Sequence, residues 1–293
     1  MVRGIALEGK VRIIASRITE TLLKVRELQD ASPTAIAALG RLMCAAVMMG
    51  WDMKVEKGRL TLQIVCDGPL GGLIADADTQ GGVRGYVKNP KVELPASEEG
   101  KIDVEKAVGR GELIVIKDYG LKEPYITKVS LISGGIALDV ANYYRTSEQI
   151  PSAVALGVLV DPERLIASAG GLIIQLMPGV DNEFISHLES SFSRLGSVSR
   201  KLDEGMTPEE IVEELLGKGA KPNWLGTQKV EFRCTCSREK AEETLLALGK
   251  DEIVRMLSEG RGEVECKFCG KKYVFEKADL ERLLKEVEGG EEV

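Results

Sequence analysis

Apolar positions along the chain change period several times, and each change predicts a new element. "KVRIIAS" has the short apolar run of a strand. In "RITETLLKVREL", Ile18, Leu22, Val25 and Leu28 then recur at helical intervals. "ASPTAIAALGRLMCAAVMMGW" opens with Ser32 as N-cap and Pro33 in the first turn. Its body is apolar nearly all round, which predicts a helix buried on every side. Met43, Met48 and Met49 lie along it and read as gap-filling core rather than as a binding stripe.

From "RLTLQIVCDGPLGGLIADAD" to "IASAGGLIIQLMPG" the pattern is strand-like, with glycines clustered at strand ends. "GGVRGYVKNP", "GELIVIKDYG", "YITKVSLISGGIALDVANYY" and "SEQIPSAVALGVLVD" all read in this β-rich way. "GGVRG" is not a phosphate loop, because no GK[ST] follows it and no helix opens after it. Residues 1–179 therefore predict an α+β core domain of mixed sheets and packed helices.

The character changes after "MPG". "DNEFISHLESSFSRLGSVSRKL" is polar and helical. "MTPEEIVEELLGKG" has Thr207 as N-cap, Pro208 in the first turn, Glu210 closing a capping box and Gly217 as stop. Helices this short need a surface to dock on. Residues 180–230 thus read as a helical linker whose order depends on its neighbours. In residues 231–293, "SREKAEETLLALG" with Ser237 as N-cap, "KDEIVRMLSEG" and "ADLERLLKEVE" read as helices, and "GEVECKFCGKKYVF" as a hairpin. A domain of this size has a thin core and needs a staple.

Composition narrows the classes. The 293 residues carry a net charge of −7, with 29% charged, 44% hydrophobic and 4% aromatic residues. An acidic surface disfavours a phosphate-backbone binder. The N-terminus is broken by charge every few residues, unlike a signal peptide. No apolar run is expected to reach the ~18 residues of a membrane span. The reading is a cytoplasmic protein without membrane or nucleic-acid partners. In that reducing compartment a set of cysteines favours a metal or redox site over permanent disulfides.

The candidate chemistry is in the tail. Of six cysteines, Cys234, Cys236, Cys266 and Cys269 fall in the last 60 residues as C-x-C, 29 residues, C-x-x-C-G. Four thiolates suit one tetrahedral zinc per chain, and CxxCG on a hairpin turns backbone amides toward the sulfurs. His187, the one histidine, precedes the site and reads as a helix-surface residue. Cys44 and Cys66 sit in apolar runs and read as buried structural thiols. A structural staple and a redox switch are both open on spacing. The thiolates are oxidisable, a CxC disulfide would be a strained small ring, and loss of metal would unfold a unit that depends on it.

Two other classes compete. A thiol–disulfide oxidoreductase would want its CxxC at the start of a βαβ unit rather than on a late hairpin. No histidine base, serine elbow or carboxylate pair marks another catalytic set, so an enzyme is not expected. A zinc ribbon for nucleic acid conflicts with the tail from Cys234 onward, where eleven Lys and Arg face fifteen Asp and Glu, a net of −4.

The motifs "SPTAIAALGRLMCAA", "LTLQIVCDGP", "VRGYVKNPKVELP", "SEQIPSAVALGVLV", "GGLIIQLMPG" and "CTC" with "CKFCG" resemble those of the 33 kDa chaperonin family, redox-regulated heat-shock holdases of the bacterial cytosol. The likeness covers nearly the whole chain. Many relatives have glycine where this chain has Cys66. The resemblance implies Cys234, Cys236, Cys266 and Cys269 as zinc ligands and an off state when reduced. It implies Cys234–Cys236 and Cys266–Cys269 disulfides on oxidation by peroxide with unfolding stress or by hypochlorite, with zinc release and unfolding of the zinc domain and linker. Unfolded client proteins are then bound without ATP, accompanied by dimerisation that is open to swapping of the linkers.

Overall fold

In the computed structural model, which describes residues 1–95, 102–161 and 165–290, the chain folds as two units, Met1–Arg233 and Cys234–Val293. The first unit runs β1 (Val2–Ala6), β2 (Val11–Arg17), α1 (Thr19–Gln29), α2 (Pro33–Trp51), β3 (Arg59–Cys66), β4 (Leu73–Asp78) and β5 (Gly82–Val87). It continues α3 (Val104–Val108), β6 (Gly111–Asp118), β7 (Tyr125–Ser130), α4 (Ala137–Tyr143), β8 (Ser152–Asp161) and β9 (Leu165–Leu176). Helices α5 (Asn182–Arg194), α6 (Val198–Asp203) and α7 (Pro208–Leu216) follow, then β10 (Asn223–Thr227) and β11 (Glu231–Phe232).

These strands form a five-stranded sheet, β10-β1-β2-β9-β8, and a six-stranded sheet, β11-β5-β4-β3-β6-β7. Helix α2 touches β4 and β5 of one sheet and β8 and β9 of the other. That position explains why its apolar residues leave no polar face. Ser32 caps it by accepting from the Ala35 amide at 3.2 Å. Ile36, Leu39, Leu42, Met43 and Met48 are wholly buried, so the methionines are core.

The five-stranded sheet is covered on both faces. Its register pairs Ile14 with Ile173 and Ile13 with Ile174. Ile14 and Ile173 join the core around α2. Ile13 and Ile174 join a second core with Leu188 of α5, Leu202 of α6 and Ile211 and Leu215 of α7. Burial of nearly every residue in β9 follows from this double cover. Gly170 and Gly171 admit the close approach: a Cβ on Gly170 would meet Leu202 Cδ1 at 2.5 Å, and one on Gly171 would meet Ala155 O at 2.5 Å.

Four sequence expectations change here. "YITKVSLISGGIALDVANYY" is strand only over Tyr125–Ser130, and α4 begins at Ala137. The cause is Asp139, which is buried and accepts the amides of Ile132, Ser133 and Ile136 at 2.8, 2.9 and 2.8 Å, bending the chain into the helix. Helix α2 does have the length and apolarity to cross a membrane, but 94% of its most apolar window is buried inside the protein. Cys44 is buried as expected, whereas Cys66, at the end of β3, is only partly so. Finally, 180–230 is not helical throughout. Its β10 pairs with β1, whose edge would otherwise be open.

The second unit comprises α8 (Arg238–Leu248), α9 (Lys250–Ser258), the hairpin β12 (Arg261–Glu265) and β13 (Lys272–Glu276), and α10 (Lys277–Gly290). The hairpin and all three helices lie where the sequence predicts them, with Ser237 capping α8 through the Lys240 amide at 3.3 Å. The core is small: Ala241, Leu245, Ile253, Met256, Tyr273, Phe275, Leu280 and Leu283.

Candidate metal centre

The four tail cysteines come from two short segments. Cys234 and Cys236 lie on the extended stretch before α8, and Cys266 and Cys269 on the turn joining β12 to β13. Folding of the hairpin closes that turn, with the Cys266 amide donating to Lys271 O at 2.9 Å and the Gly270 amide to Cys266 O at 2.8 Å. Gly270 has φ of +70°, a conformation that costs glycine nothing. The tight turn points the amides of Phe268 and Cys269 at the Cys266 sulfur and that of Lys271 at the Cys269 sulfur. Such amides stabilise thiolate.

All four Sγ atoms lie within 4.8 Å of one another. Cys234 and Cys266 Sγ are 3.7 Å apart, and Cys236 and Cys269 Sγ are 3.5 Å apart. A metal bound to four sulfurs at about 2.3 Å needs a tetrahedron with edges of about 3.8 Å. The donor set and its spacing therefore fit one tetrahedral, sulfur-loving metal. No disulfide joins any of the cysteines.

Sequence reasoning overlooks two residues that support this cluster. Tyr273, in the "GKKYVF" that follows the CxxC, donates its hydroxyl to the Cys236 sulfur at 3.2 Å. Burial works to raise the Cys236 thiol, but the bonds from Tyr273 and the other cysteines outweigh it and lower the group to about 7. Burial raises Cys266 and Cys269. The cluster thus holds a readily formed thiolate beside thiols that ionise fully when a cation draws off their protons. Arg238 is the other. It donates to Val274 O and to Asp279 Oδ2, each at 2.8 Å, and stacks on Phe275 at 4.5 Å. It ties the start of α8, directly after Cys236, to the hairpin and α10. Its pairing with the aromatic two residues beyond Tyr273 follows the alternation of β13, which turns Tyr273 and Phe275 to one face.

The remaining candidates belong to the first unit. Cys44 is buried in α2, and burial pushes its thiol up to about 12. Cys66 is raised by burial as well. His187 is exposed on α5, with Ser191 Oγ at 3.4 Å from its Nε2.

Two sheets sandwiching a buried helix, followed by a small four-cysteine unit, are the features to compare with known proteins. The Hsp33 protein family profile matches residues 1–276. A 33 kDa chaperonin of Desulforamulus reducens is 45% identical over 289 residues, covering 98% of both chains. One from Bacillus subtilis is 45% identical over 285 residues, covering 97% of both. The crystal structure of the Thermotoga maritima 33 kDa chaperonin, a heat shock protein 33 homologue, superposes with a TM-score of 0.88 at 39% identity and covers 97% of both chains. The chain belongs to the Hsp33 family. This is a family of chaperones rather than enzymes, and its partners are unfolded client proteins.

Proposed function

We propose that the protein is a cytoplasmic, redox-regulated holdase that works without ATP. The observation that carries this reading is the gathering of four sulfurs at tetrahedral spacing in a unit with so small a core. Cys234, Cys236, Cys266 and Cys269 hold one zinc ion, which supplies the cross-link that the apolar core cannot.

Oxidation joins Cys234 to Cys236 and Cys266 to Cys269. Each pair of zinc-bound thiolates gives up two electrons, which with two protons from solvent reduce one peroxide to two waters, and all four ligands are lost. Sulfur contacts alone do not select this pairing, since those of 3.7 Å between Cys234 and Cys266 and 3.5 Å between Cys236 and Cys269 cross between the two segments. The resemblance to the family implies it. A Cys234–Cys266 bond would staple the start of the unit to its hairpin, whereas the local pairs leave both segments free to open. Without its cross-link the unit unfolds, and the segment 180–230 lifts from the five-stranded sheet. That uncovers Val11, Ile13, Leu172 and Ile174, the apolar face now under α5, α6 and α7. Clients bind the uncovered surface. Two copies dimerise in this state, and exchange of linkers between them is one route.

The test follows zinc with a chromophoric indicator and client aggregation by light scattering in one peroxide titration. Zinc release and suppression of scattering rise together on this account. Oxidised, zinc-free protein that leaves a denatured client aggregating as before rules the holdase out and leaves the cysteines as a staple.

A further inference from the structure

Strand β11 is two residues long and lies parallel on the edge of β5. Without it, β5 would be the outermost strand of the six-stranded sheet. The Glu231 amide donates to Gly81 O and the Arg233 amide to Val83 O, each at 3.1 Å. Val230 and Phe232, two residues apart, pack on the main core. The next side chain, Arg233, donates to Asp78 Oδ2 at 2.8 Å. The other Asp78 oxygen accepts the Gln80 and Gly82 amides at 2.8 and 2.9 Å, so the carboxylate is held in place whether or not Arg233 is there. The β5 end of this edge is also shaped for a visiting backbone. A Cβ on Gly81 would meet Lys229 O at 2.1 Å, and one on Gly82 would meet Asp78 Oδ2 at 2.3 Å.

This is a short receptor for an extended chain: the carbonyls of Gly81 and Val83, apolar seats at alternate positions and a fixed carboxylate at the end. Its present occupant pairs with only two residues of β5 and belongs to the segment next to the cysteine unit. We propose that the β5 edge, once β11 leaves, takes up an extended client segment by strand addition. The segment it fits is apolar, any residue, apolar, then basic, with the basic side chain on Asp78. The inference rests on the holdase reading, which supplies the opening of the linker. It adds a backbone-directed mode of capture to the apolar face, and backbone recognition suits a chaperone that meets many sequences.

The probe is a fluorescein-labelled peptide copying residues 228–235 with Cys234→Ala, titrated by anisotropy into full-length protein. The oxidised protein binds it saturably, and the reduced, zinc-loaded protein binds it roughly tenfold or more weakly, because β11 covers the edge. Replacing the peptide's arginine by glutamate weakens binding about fivefold. In hydrogen exchange, the β5 amides on the edge that β11 covers, at and next to Val83, open on oxidation and regain protection when either peptide or denatured client is added. Equal binding to both redox states, no binding to either, or indifference to the charge reversal overturns the proposal. So does client capture that leaves these amides exchanging freely. Protection of β5 in oxidised protein alone overturns it too, since a second copy then holds the edge. Failure to suppress client scattering counts against the holdase reading instead, and the peptide titration still decides whether the edge docks a strand.

Discussion

The two units of this protein are held together in different ways. Among the described residues, the core around α2 contains 42 buried side chains and that of the cysteine unit eight. Burying one large aliphatic side chain is worth about 1.5–3 kcal/mol. The first unit can therefore lose a side chain and persist, while the second is close to the size at which apolar burial and chain entropy cancel. On the proposed reading the second unit makes up the shortfall through four sulfurs on a metal, and sulfur chemistry answers to oxidants where packing does not. Between them in sequence, α5, α6 and α7 cover the second face of the five-stranded sheet. The proposed function thus pairs a durable platform with a staple that can be undone.

The sharpest way to break this contrast is Cys269→Ser. Structural zinc contributes on the order of 10 kcal/mol to small metal units. The expected outcome is loss of helical and hairpin order in residues 234–290, seen as collapse of their dispersed amide resonances, with the α2 resonances unmoved. Retention of a folded second unit would mean that its apolar core suffices. Next in size come two truncations of buried side chains, Phe275→Ala and Leu42→Ala, each removing about 3–4 kcal/mol. In zinc-loaded protein, Phe275→Ala lowers the unfolding temperature of the second unit and lets a chelator strip its zinc sooner. Leu42→Ala lowers the melting temperature of the first unit and leaves zinc content at one per chain. Similar responses in both units, read by calorimetry, would erase the distinction.

A smaller effect probes the segment between them. Thr207 caps α7, accepting the Glu210 amide at 3.2 Å while Glu210 Oε2 accepts the Thr207 amide at 2.8 Å. Thr207→Ala removes about 1 kcal/mol. The expected readout is activation of client protection at a lower peroxide dose, about fivefold earlier in the equilibrium between docked and lifted linker. An unchanged dose response would show that α7 does not share in the release.

Much of this was legible in the chain because local rules and tertiary structure agree. The caps at Ser32, Thr207 and Ser237 and the CxxC turn ending at Gly270 are decided within a few residues, and each is where spacing predicts it. The all-apolar body of α2 announces a helix between two layers. What was not legible depends on distant partners. β1 and β10 become strands by pairing across more than 200 residues, and β11 is too short to carry a periodic signal. The bend at α4 depends on one buried carboxylate, Asp139, whose role appears only when its amide partners are in place. The cysteine set was legible as a ligand set by spacing, while Tyr273 and Arg238, which tune and brace it, look like ordinary strand and helix residues.

The claim that the cysteine cluster controls the cover on the five-stranded sheet is tested most directly by hydrogen exchange on reduced, zinc-loaded protein and on peroxide-treated protein. The account predicts that amides of residues 234–290 and of α5, α6 and α7 become fast together, while those of α2, β2 and β9 stay slow. Opening of 234–290 with α5, α6 and α7 still protected would contradict it.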